Sequence, residues 1–250
     1  MKAPGTQSDA AVEGGEQLPR EHGSRDQSVR QQSASEPSPR FQAVVFDLDG
    51  TVVDSVELIV VSFQHALREV LGWEVSRQQA VAFVGRPLRE QMLMFSPEHA
   101  DRLVEVYQEF NHREHDRMLR LYDGMRDLLE RLRAHGVRLG LVTSKSRRTT
   151  QMAFDRTGIE PYFDAVVCAD ESTGNKPSPD PILTCLEMLE VAPTQAAYVG
   201  DSPADMQAAH AAGTFPIAVA WGVFEVAMLE AEKPGLLVHT IPELAEAFGI

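Results

Sequence analysis

Cysteine, long apolar runs and positive charge are all in short supply in this 250-residue chain, and each shortage excludes something. Only Cys168 and Cys185 are present, both inside apolar stretches and neither in CxxC or Cys/His spacing. That argues against a disulfide or a zinc site and leaves two small buried hydrophobes. No apolar run approaches the roughly 18 to 20 residues of a membrane span, and residues 1–40 lack the apolar stretch of a secretory signal. The expected location is therefore the cytoplasm, with no membrane partner. Basic residues number 23 against 37 acidic ones, a formal net charge of −14. Such a balance repels polyanions at long range and argues against nucleic acid as a partner. A small anion would need a local positive site or a bound metal ion.

With 43% hydrophobic and 24% charged residues, the composition is that of a globular protein of one domain, or of one domain carrying a smaller inserted module. A monomer is expected. Residues 1–40 are rich in Gly, Ser, Gln, Pro and Glu and contain no aromatic side chain. They read as a disordered tail, because so little apolar surface cannot offset the entropy of ordering. From Phe41 onward, short apolar runs alternate with helical patterns, the signature of an α/β protein with a mostly parallel sheet. Strands are expected at 42–46, 137–142, 165–168, 196–199 and 216–220, with helices at 124–135, 147–157, 179–189 and 203–212. These connect at ordinary βαβ length, so a doubly wound, Rossmann-like parallel sheet is the economical arrangement. The interval between the first two strands is far too long for one crossover. Helical patterns within it, at 55–71, 76–83, 87–95 and 97–118, point to an inserted α-helical cap. The expected organisation is a tail over 1–40, a core over 41–54 and 121–250, and a cap over 55–120, hinged near 52–54 and 119–123.

Chemistry-bearing residues gather at the strand ends. The first strand runs into Asp47-Leu48-Asp49-Gly50-Thr51. Alternation brings the Asp47 and Asp49 side chains out on the same side, and Gly50 lets backbone amides approach a ligand closely. Two carboxylates so placed repel each other unless a cation lies between them or one is protonated. Mg²⁺ could bridge them to a phosphate, or a protonated Asp49 could serve as a general acid. The second strand ends in Thr143-Ser144-Lys145, which places hydroxyls and amides alongside. Lys176 lies between a strand and a helix in Gly174-Asn175-Lys176-Pro177. The fourth strand ends in Gly200-Asp201-Ser202-Pro203-Ala204-Asp205, where a carboxylate can complete an oxygen shell around Mg²⁺. Asp205 suits helix capping or orientation of this loop better than direct metal contact.

In this order and at these strand ends, the four motifs resemble those of the haloacid dehalogenase superfamily of phosphohydrolases, and the resemblance covers residues 41–250. It implies that Asp47 is a nucleophile forming an aspartyl-phosphate and that Asp49 acts as general acid and then base. It further implies that Thr143 hydrogen-bonds the transferring phosphoryl group, with Gly50 and Ser144 also at the substrate. Lys176 would neutralise phosphate and nucleophile charge. Mg²⁺ would be held by the Asp47 carboxylate, the Asp49 main-chain carbonyl and the Asp201 carboxylate. An acid at position 49 argues against haloacid dehalogenation. No lysine occurs between Lys2 and Lys145, so the cap cannot supply the Schiff-base lysine of a phosphonoacetaldehyde hydrolase.

The cap string Phe110-Asn111-His112-x-x-His115-Asp116 is similar to that of the haloacid dehalogenase-type inorganic pyrophosphatases of Gram-positive bacteria. Val84-Gly85-x-Pro87-Leu88 and Val219-Ala220-Trp221 agree with the same group, and Arg86 departs from it. Arg86 either holds a second phosphate on the cap, as in a β-phosphoglucomutase-like enzyme, or is a solvated loop arginine. His112, His115 and Asp116 lie near one helix face; a zinc site would need another ligand, and the alternatives are a surface histidine pair or a contact to the substrate's distal phosphate, as for His112, or to the core–cap interface. The expected activity is Mg²⁺-dependent hydrolysis of inorganic pyrophosphate. The alternatives are a phosphoglycolate phosphatase-like monoesterase, the mutase-like enzyme, and a phosphometabolite sensor without turnover, against which the complete motif set argues. Positive charge is expected at Lys176, with Lys145, Arg147 or Arg86 nearby.

Overall fold

The computed structural model describes residues 41–81 and 84–250, so the tail expected over 1–40 lies outside the described residues. In chain order the elements are β1 (Ala43–Phe46), β2 (Val53–Asp54), α1 (Val56–Leu71), α2 (Arg77–Val81), α3 (Leu88–Phe95), α4 (Ala100–Met118), β3 (Arg120–Leu121), α5 (Met125–Ala134) and β4 (Arg138–Val142). They continue with α6 (Arg147–Thr157), β5 (Ala165–Val167), α7 (Asp180–Met188), β6 (Ala196–Gly200), α8 (Pro203–Ala212), β7 (Phe215–Val219), α9 (Val226–Ala231), β8 (Leu236–Val238) and α10 (Ile241–Phe248).

Val44 and Phe46 of β1 join the core on one face of the sheet, and Ala43 and Val45 join the core on the other. A strand buried on both faces belongs at the centre of a parallel sheet covered on both sides. The observed order is β5-β4-β1-β6-β7-β8, every pairing parallel. From β1 the chain winds outward through β4 and β5, then crosses back to β6 on the other flank of β1. The winding reverses at β1, and the crevice beyond that reversal is where such sheets bind ligands. Leu128 and Leu132 of α5, Phe154 of α6 and Phe248 of α10 pack on the first face, and Ile182 and Cys185 of α7 with Ala208 of α8 on the second. The fold is α/β and doubly wound.

Helices α1 to α4 gather a separate apolar cluster around Phe63, Leu67, Met92 and Leu103, in which the Phe63 and Tyr107 rings lie 5.0 Å apart. Where the two hinges are expected, β2 and β3 form an antiparallel ribbon pairing Val53 with Leu121 and Asp54 with Arg120. The two crossings of the chain thus satisfy each other's backbone groups.

The five expected strands are all present. The sheet has an unforeseen sixth, β8, at its edge beside β7. Helix α10 was equally unforeseen, although its N-terminus carries a legible signal: Thr240 caps the backbone N–H of Glu243 in a Thr-x-x-Glu sequence. Helix α4 begins at Ala100 rather than 97, because Ser96 and His99 close a turn first, with His99 N–H donating to the Ser96 carbonyl at 3.2 Å. The last two residues of the helix expected at 76–83 lie outside the described residues. Both cysteines are free and buried, as expected. Among the described residues no helix is long and apolar enough to cross a membrane.

Candidate active site

The C-terminal ends of β1, β4 and β6 open into a cavity of about 300 Å³ whose opposite wall comes from α1, the 84–87 loop, α3 and α4. Asp47 is the first residue beyond β1. Its backbone N–H donates to the Val199 carbonyl at 2.9 Å, which extends the ladder to the sheet edge. The Asp47 side chain is buried, and its Oδ1 accepts a hydrogen bond from Lys176 Nζ at 2.6 Å. The same ammonium donates to Asp205 Oδ1 at 2.7 Å and to Tyr198 Oη at 3.1 Å. The second oxygen of Asp47 makes no hydrogen bond to a described residue.

Asp47, Asp201 and Asp205 are all buried, and each offers a carboxylate oxygen within 4.8 Å of the others. Three carboxylates against one ammonium leave the cluster short of positive charge. Burial pushes Asp47 up to about 7, with Lys176 pulling it back and Asp205 pushing it further. Burial also holds Asp201 well above the usual carboxylate range, and Asp47 and Asp205 add to that. A cation would relieve this deficit, and an all-oxygen donor set is the kind a hard divalent ion takes. The residues present therefore fit Mg²⁺. Asp205 has little left to offer it. Its Oδ1 serves Lys176 and Tyr198, and its Oδ2 accepts from the Ser202 N–H at 3.1 Å and the Ser202 hydroxyl at 2.6 Å in a capping box that opens α8. Asp201 accepts a single hydrogen bond on each oxygen, from the Thr51 hydroxyl at 3.4 Å and the Val223 N–H at 3.0 Å, so Asp201 and the second oxygen of Asp47 have more capacity left for a cation.

Two glycines press the backbone against Asp201. A Cβ on Gly50 would lie 2.3 Å from Asp201 Oδ2, and one on Gly222 would lie 2.1 Å from the same atom. Gly50 also sits at φ +79°, a conformation that side chains disfavour. The close approach at Gly222 lets the Val223 N–H donate to Asp201 Oδ2 at 3.0 Å.

Asp49 lies apart from the acidic cluster. Its Oδ1 accepts from the Ser55 hydroxyl and from Lys145 Nζ, the latter at 2.7 Å. The expected repulsion between Asp47 and Asp49 is thus a minor influence, and the carboxylate that most disturbs Asp47 is Asp205. The physical reason is that Lys145 reaches in from the loop after β4 and pairs with Asp49. Thr143 is buried, lines the cavity and accepts from the Lys145 N–H at 3.2 Å. Ser144 also lines it, but its hydroxyl donates to the Gly85 carbonyl at 2.8 Å, tying the end of β4 to the 84–87 loop.

On the helical side, Arg86 lines the cavity with an exposed guanidinium that makes no ion pair with a described residue. His112 lines it too, and its buried Nε2 lacks a hydrogen-bond partner. Burial, then Arg148, His115 and Lys145, hold its imidazole below the ordinary value. His115 is buried outside the cavity lining and bonds Asp116 through Nδ1 at 2.9 Å, so these three residues do not converge on a common point. Arg147 is a correction to the expected positive site. Its guanidinium binds Glu171 and the Val166 carbonyl, away from the cavity, because the first turn of α6 points it along β5. Sequence reasoning also missed Ser55, Gly222 and Tyr198. Of these only Tyr198 left a trace, as the one polar group in the buried run Ala-Ala-Tyr-Val-Gly.

A model of the haloacid dehalogenase-like hydrolases matches residues 44–219. The chain belongs to this family. Relatives of this haloacid dehalogenase-like hydrolase include the pyrophosphatase PpaX of Bacillus velezensis, 35% identical over 211 residues, which are 84% of this chain and 98% of that protein. The pyrophosphatase PpaX of Bacillus pumilus is 34% identical over 209 residues, 84% of this chain and 97% of its own. A solved structure from Haemophilus somnus, named a predicted phosphoglycolate phosphatase, superposes with a TM-score of 0.73 at 25% identity, covering 83% of this chain and 97% of that one.

Proposed function

We propose that this hydrolase is a Mg²⁺-dependent phosphohydrolase that works through an aspartyl-phosphate on Asp47 and whose substrate is inorganic pyrophosphate. The observation that carries the chemistry is the separate placement of two near-neighbour carboxylates. Asp47 is buried against Lys176, and Asp49 stands beside Lys145 and Ser55. Paired carboxylates in unlike surroundings are how one site divides nucleophile from acid and base.

In the first step the unengaged oxygen of Asp47 attacks phosphorus, the bridging P–O bond breaks, and Asp49 gives a proton to the departing oxygen. In the second, Asp49 takes a proton from water, the water oxygen attacks phosphorus, and the acyl-phosphate bond breaks to restore the Asp47 carboxylate. Thr143 and the amides around Gly50 hold the equatorial oxygens, and Lys176 keeps Asp47 in line. Asp47 and Asp201, with the main-chain carbonyl of Asp49, would hold Mg²⁺. Bound there, the ion supplies positive charge to the phosphoryl oxygens and to the acidic cluster. Residues 55–120 act as the cap, hinged on the β2–β3 ribbon, over a core of 41–54 and 121–250.

Support for pyrophosphate comes from the PpaX relatives and from the cap wall, where among the described residues Arg86 has no ion pair and His112 Nε2 no hydrogen-bond partner, so that both could meet a distal phosphate. One observation favours an organic phosphate such as phosphoglycolate instead: Ile59, Val84, Leu88 and Val104 give the same wall apolar surface that pyrophosphate does not need. The deciding experiment is phosphate release with Mg²⁺ across pyrophosphate, phosphoglycolate, nucleoside monophosphates and hexose phosphates, with Asp47→Asn as control. Pyrophosphate is expected to give the highest kcat/KM. Phosphoglycolate exceeding it by about tenfold, a transition-state preference of about 1.4 kcal/mol, overturns the substrate assignment. No turnover on any of them overturns the enzymatic reading in favour of a sensor.

A further inference from the structure

Lys176 is held by more than the two carboxylates that pair with it. An ammonium has three protons to donate, and here it has three acceptors: Asp47 Oδ1 at 2.6 Å, Asp205 Oδ1 at 2.7 Å and Tyr198 Oη at 3.1 Å. The Tyr198 hydroxyl sends its own proton to Asp205 Oδ1 at 3.0 Å. Nζ, Oη and Oδ1 of Asp205 therefore form a closed triangle of hydrogen bonds. Asp205 Oδ1 and Tyr198 Oη thus lie together on one side of the ammonium, and Asp47 Oδ1 is its remaining acceptor. Tyr198 itself is sealed from solvent, 0% exposed on a strand otherwise made of Ala, Val and Gly.

We propose that Tyr198 is a positioning residue that acts through Lys176, its hydroxyl bracing the ammonium and Asp205 together so that Lys176 stays against the nucleophile Asp47. The proposal rests on the phosphohydrolase reading above for its catalytic consequence and on geometry alone for the orientation of Lys176. Burial and the neighbouring Asp205 keep the phenol well above its ordinary pKa, so it stays a neutral hydroxyl able to accept from Lys176 while donating to Asp205. Without the hydroxyl, Asp205 Oδ1 loses its tyrosine donor and the ammonium keeps two acceptors in place of three, so its hold against Asp47 loosens. Tyr198 does not line the cavity, so substrate binding should be insensitive to it.

The test is Tyr198→Phe, which keeps the ring and removes one oxygen, with Tyr198→Met as the alternative should the Phe variant fail to fold. Two measurements are made on the full chain. Kinetics on the best substrate should show kcat lowered about tenfold, the worth of one hydrogen bond to a charged group, with KM changed by less than about twofold. Independently of turnover, ¹⁵N NMR of the lysine ammonium groups should show the Lys176 signal sharp in the wild type and broadened or lost in the variant. Lys2, Lys145, Lys176 and Lys233 are the only lysines, so Lys176→Arg assigns it. An unchanged ammonium signal overturns the proposal whatever happens to kcat, and so does a changed signal with wild-type kcat. If the wild type turns over no phosphate, the phosphohydrolase reading falls, and with it the catalytic consequence claimed here.

Discussion

Replacing Asp47 by Asn should stabilise the metal-free protein at neutral and alkaline pH while removing its activity. Asp47 is buried with its carboxyl pushed up to about 7, against 3.8 when unperturbed. A carboxyl whose folded pKa is raised stabilises the fold fully below its unfolded pKa, and that contribution is lost as pH rises through the folded value. Between about pH 5 and pH 7 the ionising wild type therefore loses about 1.4 kcal/mol per pH unit, roughly 3 kcal/mol in all, and little more by pH 8. Asn has nearly the same shape, can still accept from Lys176 and does not ionise. The difference in stability, Asp47→Asn minus wild type, should thus grow by about 3 kcal/mol across this range. In a domain of this size that is roughly 6 to 12 °C in Tm. Taking the difference cancels the titration of groups that the substitution leaves alone. The assay is thermal unfolding by circular dichroism in EDTA at about pH 5 and pH 8, repeated with Mg²⁺. Binding of Mg²⁺ should raise the wild-type Tm at pH 8 and shrink the advantage of the variant. A difference independent of pH, or one that falls as pH rises, refutes the reading of Asp47 as a strained, cation-seeking carboxylate.

The close approach of Gly222 to Asp201 predicts that Gly222→Ala lowers Mg²⁺ affinity by at least about tenfold, read by calorimetry, with the far-ultraviolet circular dichroism unchanged. Unaltered Mg²⁺ binding would remove Gly222 from the metal site. Asp49→Asn should reduce kcat more on an alkyl phosphate than on pyrophosphate, because a leaving phosphate needs less help from a proton than an alkoxide. Equal losses on both substrates would count against Asp49 as the general acid. Arg147, held by Glu171 outside the cavity, is expected to be dispensable for substrate: Arg147→Ala should leave KM within about twofold, with a stability change of about 1 kcal/mol or less for a half-exposed ion pair. A large rise in KM would return Arg147 to the site.

Periodicity and strand-end motifs are local properties, and they carried the α/β class, the five main strands and the inserted helices, along with Asp47, Asp49, Thr143, Lys176 and Asp201 as a candidate set at one sheet edge. Chain order alone brings those residues together once the strands are parallel and β1 lies at the centre. Partnership is a different matter, because it depends on directions in space between residues far apart in the chain. Lys176 meets Asp47 across 129 positions and Lys145 meets Asp49 across 96, and no spacing rule distinguishes those pairings from the reverse. The same limit explains why Arg147 looked as eligible as Lys145, two residues before it, until the turn of α6 sent it to Glu171. Tyr198 shows this most plainly: in sequence it is one aromatic residue in an apolar strand, and its hydroxyl gains a role only because folding delivers Lys176 and Asp205 to within about a hydrogen bond's length of it. The sequence by itself determined the scaffold and the inventory of reactive groups. Only the tertiary structure decided which carboxylate each cation serves, because that is fixed by packing in three dimensions and not by order along the chain.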